Sequence, residues 1–180
     1  MTVTDLRPAA PPAGTPASRA LAGTVAFRAL TGTAADRALV EELLRRSSPP
    51  TLRSRFFLPA GRDPHEMLDT YLPFLLAGPP DGLALVALVD GRPVGLLNLV
   101  AGPERRLELG VLVADDWQRL GIAGSLLRQA TRPGRWPGWR VRATVQPGNA
   151  AARALIRAHG GARLLSGLRG EYVFEFAAAR

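Results

Sequence analysis

The sequence predicts an α+β fold around a central, mostly antiparallel sheet, and three observations carry that prediction. Apolar runs at 83–89, 94–101 and 107–113 are joined by short connections, the first being Asp90-Gly91, a strong hairpin signal; together they read as a three-strand meander. Residues 121–132 place Ile122, Leu126 and Leu127 at helical spacing and precede a further strand at 139–145, so a helix crosses over late in the chain. With 180 residues, 47% of them hydrophobic, the chain is one domain's worth and needs a buried core.

Taken in order, residues 1–22 hold Pro8, Pro11, Pro12 and Pro16 without apolar periodicity and read as a disordered leader, which leaves 23–180 as a single domain. Residues 24–30 read as a first strand. Thr33 with Asp36 three positions on resembles a capping box, opening a helix through Leu39, Leu43 and Leu44. Ser48-Pro49 is a cap followed by proline and starts a second helix towards Phe57. Asp63-Pro64-His65-Glu66 repeats the signal, with Asp63 as N-cap and Glu66 at the third position, ahead of Met67, Leu68, Tyr71 and Leu75. Beyond the meander and the crossover helix, 139–145 is a strand, 150–159 a helix stopped by Gly160-Gly161, and 172–176 a last alternating strand.

All 23 basic residues are Arg, and against 15 acidic residues they give a net charge of +8. Without Lys the chain has no Walker A loop, no Ser-x-x-Lys acyl-enzyme and no Schiff base; without Cys it has no thiolate nucleophile. The Arg residues are dispersed and not interleaved with an aromatic platform, so no specific nucleic-acid partner is expected. The longest apolar run, 83–89, is far short of the ~18 residues of a bilayer span, and no export signal opens the chain, so no membrane and a cytoplasmic location are expected. His65 and His159 lack metal-ligand spacing, so no metal is expected.

The most informative stretch is a strand, Leu107 to Val113, then Ala114-Asp115-Asp116-Trp117, then Gln118-Arg119-Leu120-Gly121-Ile122-Ala123-Gly124-Ser125 at a helix start. Small residues there let backbone approach a ligand, and unpaired N–H groups at the positive end of a helix favour an anion such as phosphate. The alternative is a close helix-to-sheet contact that requires small residues, and local chemistry leaves both open.

Residues 111–123 resemble motif A of the GNAT superfamily of N-acetyltransferases, with Gln118, Gly121 and Ala123 on its Gln/Arg-x-x-Gly-x-Gly/Ala pattern. Val145-Gln146-Pro147-Gly148-Asn149, followed by Ala152, Leu155 and Gly160, looks like its motif B, and the element order matches from 24 to 176. The resemblance implies a GNAT acyltransferase fold, a mixed sheet of six to seven strands flanked by four to five helices. It implies acetyl-CoA as co-substrate, with motif residue Gln118 and the amides of Arg119, Leu120, Gly121, Ile122, Ala123, Gly124 and Ser125 around the pyrophosphate. Pantetheine would lie along Val111, Leu112 and Val113 where the fourth and fifth strands splay, and Asn149 would be helix cap, pantetheine contact or both.

More narrowly, Arg53-Ser54-Arg55-Phe56-Phe57 and residues 107–118 look like the acetyltransferase domain of Pat-type bacterial protein lysine acetyltransferases, in which a Glu ten residues before the motif Gln is the catalytic base. That position is Glu108. The alternative for Glu108 is a strand carboxylate paired with Arg105 or Arg106. A protein lysine is the first expectation for the acceptor, with Glu66, Asp69, Asp90, Asp115 and Asp116 near plausible acceptor rims if the substrate is instead a small cationic amine. A non-catalytic acyl-CoA sensor is the further alternative, because Ile156 stands where many relatives carry a Tyr that protonates the departing thiolate; Tyr172 reads as a core strand aromatic. A monomer or homodimer is expected.

Overall fold

The structure, a computed structural model, describes residues 24–178 apart from 60, 62, 77 and 166–169, so the leader expected over 1–22 lies outside the described residues. Its elements are β1 (Val25–Ala29), α1 (Ala34–Arg46), α2 (Pro49–Phe56), a 3-10 turn (Pro64–Met67) running into α3 (Leu68–Leu75), and the meander β2 (Gly82–Val89), β3 (Arg92–Gly102) and β4 (Arg106–Val113). Then come α4 (Ile122–Ala130), β5 (Arg140–Val145), α5 (Ala150–His159), β6 (Arg163–Leu165) and β7 (Tyr172–Ala177). The seven strands form one sheet in the order β1-β2-β3-β4-β5-β7-β6, antiparallel everywhere except between β4 and β5. The three-residue β6 is the strand that sequence patterning missed, being too short for alternation to register.

Side-chain alternation along β3 divides the core. Leu97 and Leu99 point to the face covered by α4 and α5, with Ile122, Leu126, Leu127 and Ile156, whereas Leu96 points to the face covered by α1 to α3, with Val40, Leu43, Leu52 and Leu72. Both faces are covered, which is why β2 is apolar without interruption. Asp90 (φ 50°) and Gly91 (φ 77°) make the turn between β2 and β3, both left-handed as a type I′ hairpin requires.

The helix starts follow local chemistry. Thr33 and Asp36 form the full capping box. Asp36 is only 3% exposed and also pairs with Arg28 at 2.7 Å, and hydrogen bonds led by the Thr31 amide, against the cost of burial, lower its pKa to about 2. Ser48 caps α2 as expected. Asp63 does not form the expected capping box: its Oδ1 accepts from the His65 amide at 3.0 Å, two residues on, and a 3-10 turn precedes α3. No described helix is long and apolar enough to cross a membrane.

Candidate active site

β4 and β5 pair only where Arg106–Glu108 meet Arg140–Arg142, and beyond Glu108 the two strands diverge. A gap of about 80 Å³ opens there, between Gly110 and Val111 on β4, Thr144 and Val145 on β5, and Asn149 and Ile156 of the α5 segment. A splayed parallel pair leaves strand-edge amides and carbonyls without a ladder partner, a seat for an extended amide chain.

At the far end of β4 lies the loop into α4. Arg119 (φ 62°) and Gly121 (φ 80°) are both left-handed, and the first helical bond of α4 is Ser125 N–H to the Gly121 carbonyl at 3.0 Å, so the Ser125 amide is engaged rather than open as expected, while Ile122 to Gly124 have no i−4 partner within the helix. Alternation of this kind gathers N–H groups into an anion-binding concavity at the positive end of a helix. The packing alternative fails at this loop. A Cβ on Gly121 would meet nothing within 4 Å, and one on Gly124 would meet only Arg128 at 3.4 Å and Leu155 at 3.9 Å. Close approach of α4 to the sheet occurs instead at Gly95 on β3, where a Cβ would lie 3.0 Å from Ile122 and 3.2 Å from Leu126. Arg128, whose Nη2 donates to Ser125 Oγ at 2.8 Å, is beside the same helix start.

Two motif side chains hold scaffold. Gln118 donates from Nε2 to the Val113 carbonyl at 3.1 Å and to Thr51 Oγ1 at 3.2 Å. Asn149 caps α5 by accepting from the Ala152 amide at 2.9 Å, and its Nδ2 donates to Ser54 Oγ at 2.8 Å, tying α5 to α2 across the splay. Sequence reasoning placed Asp115 near an acceptor rim. It is instead a cap on α2, accepting from Ser48 N (2.8 Å), Ser48 Oγ (2.7 Å) and Thr51 Oγ1 (2.7 Å); burial works against its charge, but these bonds outweigh it and hold the carboxyl below its usual range.

Glu108 stands on the α2–α3 face of β4. The cross-strand pairs Val100–Glu108 and Asn98–Gly110 form the floor of a cavity of about 300 Å³, with Arg55, Phe56, Phe57, Tyr71 and Phe74 around it. Phe56 and Tyr71 stack with centroids 4.4 Å apart. The Glu108 side chain is 53% exposed, and its nearest cation is Arg142 on β5, with Nε at 3.9 Å. Arg106 pairs with Glu104 instead, so neither partner proposed from sequence, Arg105 or Arg106, is its ion pair. Partial burial raises the Glu108 pKa, while Arg142 and then Arg106 oppose the rise.

The other acidic rim candidates are elsewhere: Asp69 pairs with Arg37, and Asp90 and Asp116 line a separate cavity of about 440 Å³ with Arg46 and Arg92, on the hairpin side of the sheet. Glu66 is exposed and does not line the Glu108 cavity. Tyr172, expected in the core, is exposed under Arg153, 5.2 Å from its ring, so it is no substitute acid at the splay. Ile156 does line the splay.

Sequence reasoning gave no role to three groups the fold brings to the cavity: Arg55, Asn98 and Tyr71. For Arg55 a signal existed in the Arg-Phe-Phe segment; for Asn98 it was the lone polar residue inside an apolar strand.

The sequence matches the acetyltransferase (GNAT) family over residues 37–160. The chain belongs to that family. Its members use acetyl-CoA to acetylate amines, and the open amides and the splay of this member suit that co-substrate. No curated protein matches the chain. Among solved structures, the GNAT domain of Streptomyces lividans PAT (S. lividans) is similar at a TM-score of 0.67 and 21% identity, over 86% of this chain and 90% of that one. PaiA N-acetyltransferase from Thermoplasma acidophilum, in complex with coenzyme A, aligns at a TM-score of 0.62 and 15% identity, over 85% and 98%. Spermidine N-acetyltransferase from Vibrio cholerae, with CoA and spermine, aligns at 0.55 and 18%, over 84% and 92%. At these identities the likeness to solved structures shows a shared GNAT fold.

Proposed function

We propose that this GNAT protein moves an acetyl group from acetyl-CoA directly to a primary amine seated over β3 and β4, with Glu108 as general base. The observation that carries the reading is the position of Glu108 at the last paired residue before β4 leaves β5: its carboxylate lines the cavity, and Leu109 and Gly110, the next two residues, line both that cavity and the splay. On this reading the loop from Arg119 and the first-turn amides of α4, Ile122 to Gly124, hold the pyrophosphate, Arg128 adds charge beside them, pantetheine follows Val111 to Val113, and Asn149 borders its path while capping α5.

An alkyl ammonium with a pKa of ~10.4 is about 3.4 units from neutral at pH 7, so freeing its lone pair costs on the order of 4.6 kcal/mol. Glu108 takes that proton, directly or through water, and its raised pKa moves it towards the working range. The neutral amine attacks the thioester carbonyl, an N–C bond forms as the C–S bond breaks, CoA leaves as thiolate, and the second proton shed by the nitrogen as it becomes an amide passes to water and from there to the thiolate. A backbone N–H near Leu112 or Val113 meets the charge that develops on oxygen. A thiol of pKa ~8.5 departs without an acid, so Ile156 in place of Tyr is compatible with turnover.

A small amine suits the cavity best, because a lysine side chain would bring one ammonium and leave the polar lining described below without a partner. A protein lysine is the second reading, favoured by Phe57 and Phe74, 38% and 61% exposed at the cavity, which a docked protein surface would cover. Calorimetric titration with CoA and acetyl-CoA, followed by transfer of labelled acetyl to a panel of amines and peptides, tests the assignment. Micromolar binding with acetyl transfer is expected; binding without transfer to any amine would make the protein a sensor, and no binding at millimolar concentration would end the proposal.

A further inference from the structure

The acceptor cavity contains two polar groups that general-base chemistry does not use. Asn98 is 2% exposed on β3, and its Nδ2 donates to the Leu75 carbonyl at 2.6 Å. That bond fixes the orientation of the amide, since the reverse would set two carbonyl oxygens against each other, and it leaves Oδ1 buried with no hydrogen bond to any described group. A buried acceptor without a donor is costly and persists where a ligand supplies the missing N–H.

The second group is the Arg55 guanidinium. It lies over Gly110, so closely that a methyl group there would overlap it, and it belongs to both the splay and the cavity. One face of it lies over the Phe56 ring, 5.1 Å from the centroid, but its N–H edges make no hydrogen bond or ion pair with any described residue. Burial alone, with no compensating anion, lowers its pKa to about 10. Other cations of the chain have carboxylates: Arg28 has Asp36, Arg140 has Glu175, and Arg142 has Glu108. Its planar fork is suited to a carboxylate held by two parallel bonds.

Gly110 is two residues beyond Glu108 on the same face of β4, about 7 Å along the strand. A base at one end, an anion receptor at the other and a hydrogen-bond acceptor across the strand pair match a molecule whose amine and carboxylate are separated by one carbon. From this juxtaposition we propose that the acceptor is a small amine bearing its own carboxylate, an α-amino acid: Arg55 takes the carboxylate, Asn98 Oδ1 accepts from the amine N–H, Glu108 removes its proton, and Phe56, Phe57, Tyr71 and Phe74 face the side chain. The inference rests on the acetyltransferase reading and names its substrate class.

The test compares kcat/KM for matched acceptors, phenylalanine and methionine against their C-terminal amides, with acetyl-CoA and with rates expressed per neutral amine. The wild type is expected to prefer the free acids at least tenfold, Arg55→Met to bring that ratio to about one, and Arg55→Lys to keep part of it. Calorimetry of phenylalanine binding to the CoA-loaded protein gives a readout without turnover, with binding lost in Arg55→Met; the thermal unfolding midpoint of the same variant reports whether the fold stands. A ratio near one in the wild type, or a ratio that Arg55→Met does not change, overturns the inference. So does an Arg55 effect seen only when succinyl-CoA replaces acetyl-CoA, because the carboxylate would then belong to the donor. Loss of CoA binding in the wild type would instead sink the acetyltransferase reading beneath it.

Discussion

On the proposed reading the donor half of the site is made of backbone and the acceptor half of side chains, although both lean on β4. The first-turn amides of α4 and the unpaired edge beyond Glu108 are main-chain features, and the motif side chains Gln118 and Asn149 serve mainly to hold that main chain in place. On the acceptor side the groups are Arg55 from α2, Tyr71 and Phe74 from α3, Asn98 from β3 and Glu108 from β4. A backbone site depends on conformation and therefore on where glycine stands. A side-chain site depends on which chemistry faces inward, and that can change without disturbing the fold.

The largest expected effect separates the halves by chemistry. Glu108→Gln is nearly isosteric and leaves the cavity and the splay in place, so turnover should fall by ~10² to 10⁴, the usual span for losing a general base, while CoA affinity measured by calorimetry stays within about twofold. Comparable losses in both quantities would mean that Glu108 acts on donor binding and that the two halves are not independent.

A smaller effect is expected from the donor side. Gly121 has φ 80° and open space around its Cβ position, so Val there meets no neighbour and is disfavoured by backbone strain alone, about 1–2 kcal/mol. If the loop relieves that strain by closing its amides, CoA affinity should drop about tenfold in Gly121→Val, with the KM for the amine little changed. A rise in amine KM without loss of CoA affinity would break the division between a backbone donor seat and a side-chain acceptor seat.

That division also explains what was legible in the sequence. Periodicity and caps marked the meander, the crossover helix and α5, because each is determined by its own residues. The loop before α4 could be singled out for the same reason, since Gly121 and its neighbours are contiguous, although its proposed ligand came from the family resemblance. Glu108 could be singled out through its distance from Gln118, but not its partner, since Arg142 reaches it only through the parallel register of β4 with β5. Arg55 and Asn98 line one cavity because Asn98 is opposite Gly110 and the Arg55 guanidinium lies over Gly110, a coincidence of tertiary structure that no spacing records. Asp115 was misplaced because its carboxylate caps a helix that starts 67 positions earlier, at Ser48.

The smallest expected effect probes an ion pair that joins the acceptor half to β5, Arg142 with Glu108. Burial raises the Glu108 pKa and Arg142, at 3.9 Å, is the first influence opposing it, so Arg142→Met should let the pKa rise further. A general base works only when deprotonated; activity is therefore lost as pH falls through that pKa, and the acid limb of kcat/KM should move to higher pH in the variant. The pair is half exposed and worth about 0.2–1 kcal/mol, so the displacement should be under about one pH unit. A pH profile measured on both proteins decides the matter. A limb that stays in place assigns the titration to another group, whereas a limb that moves down would mean that Arg142 had been holding Glu108 in its protonated form, opposite to the electrostatics of a neighbouring cation.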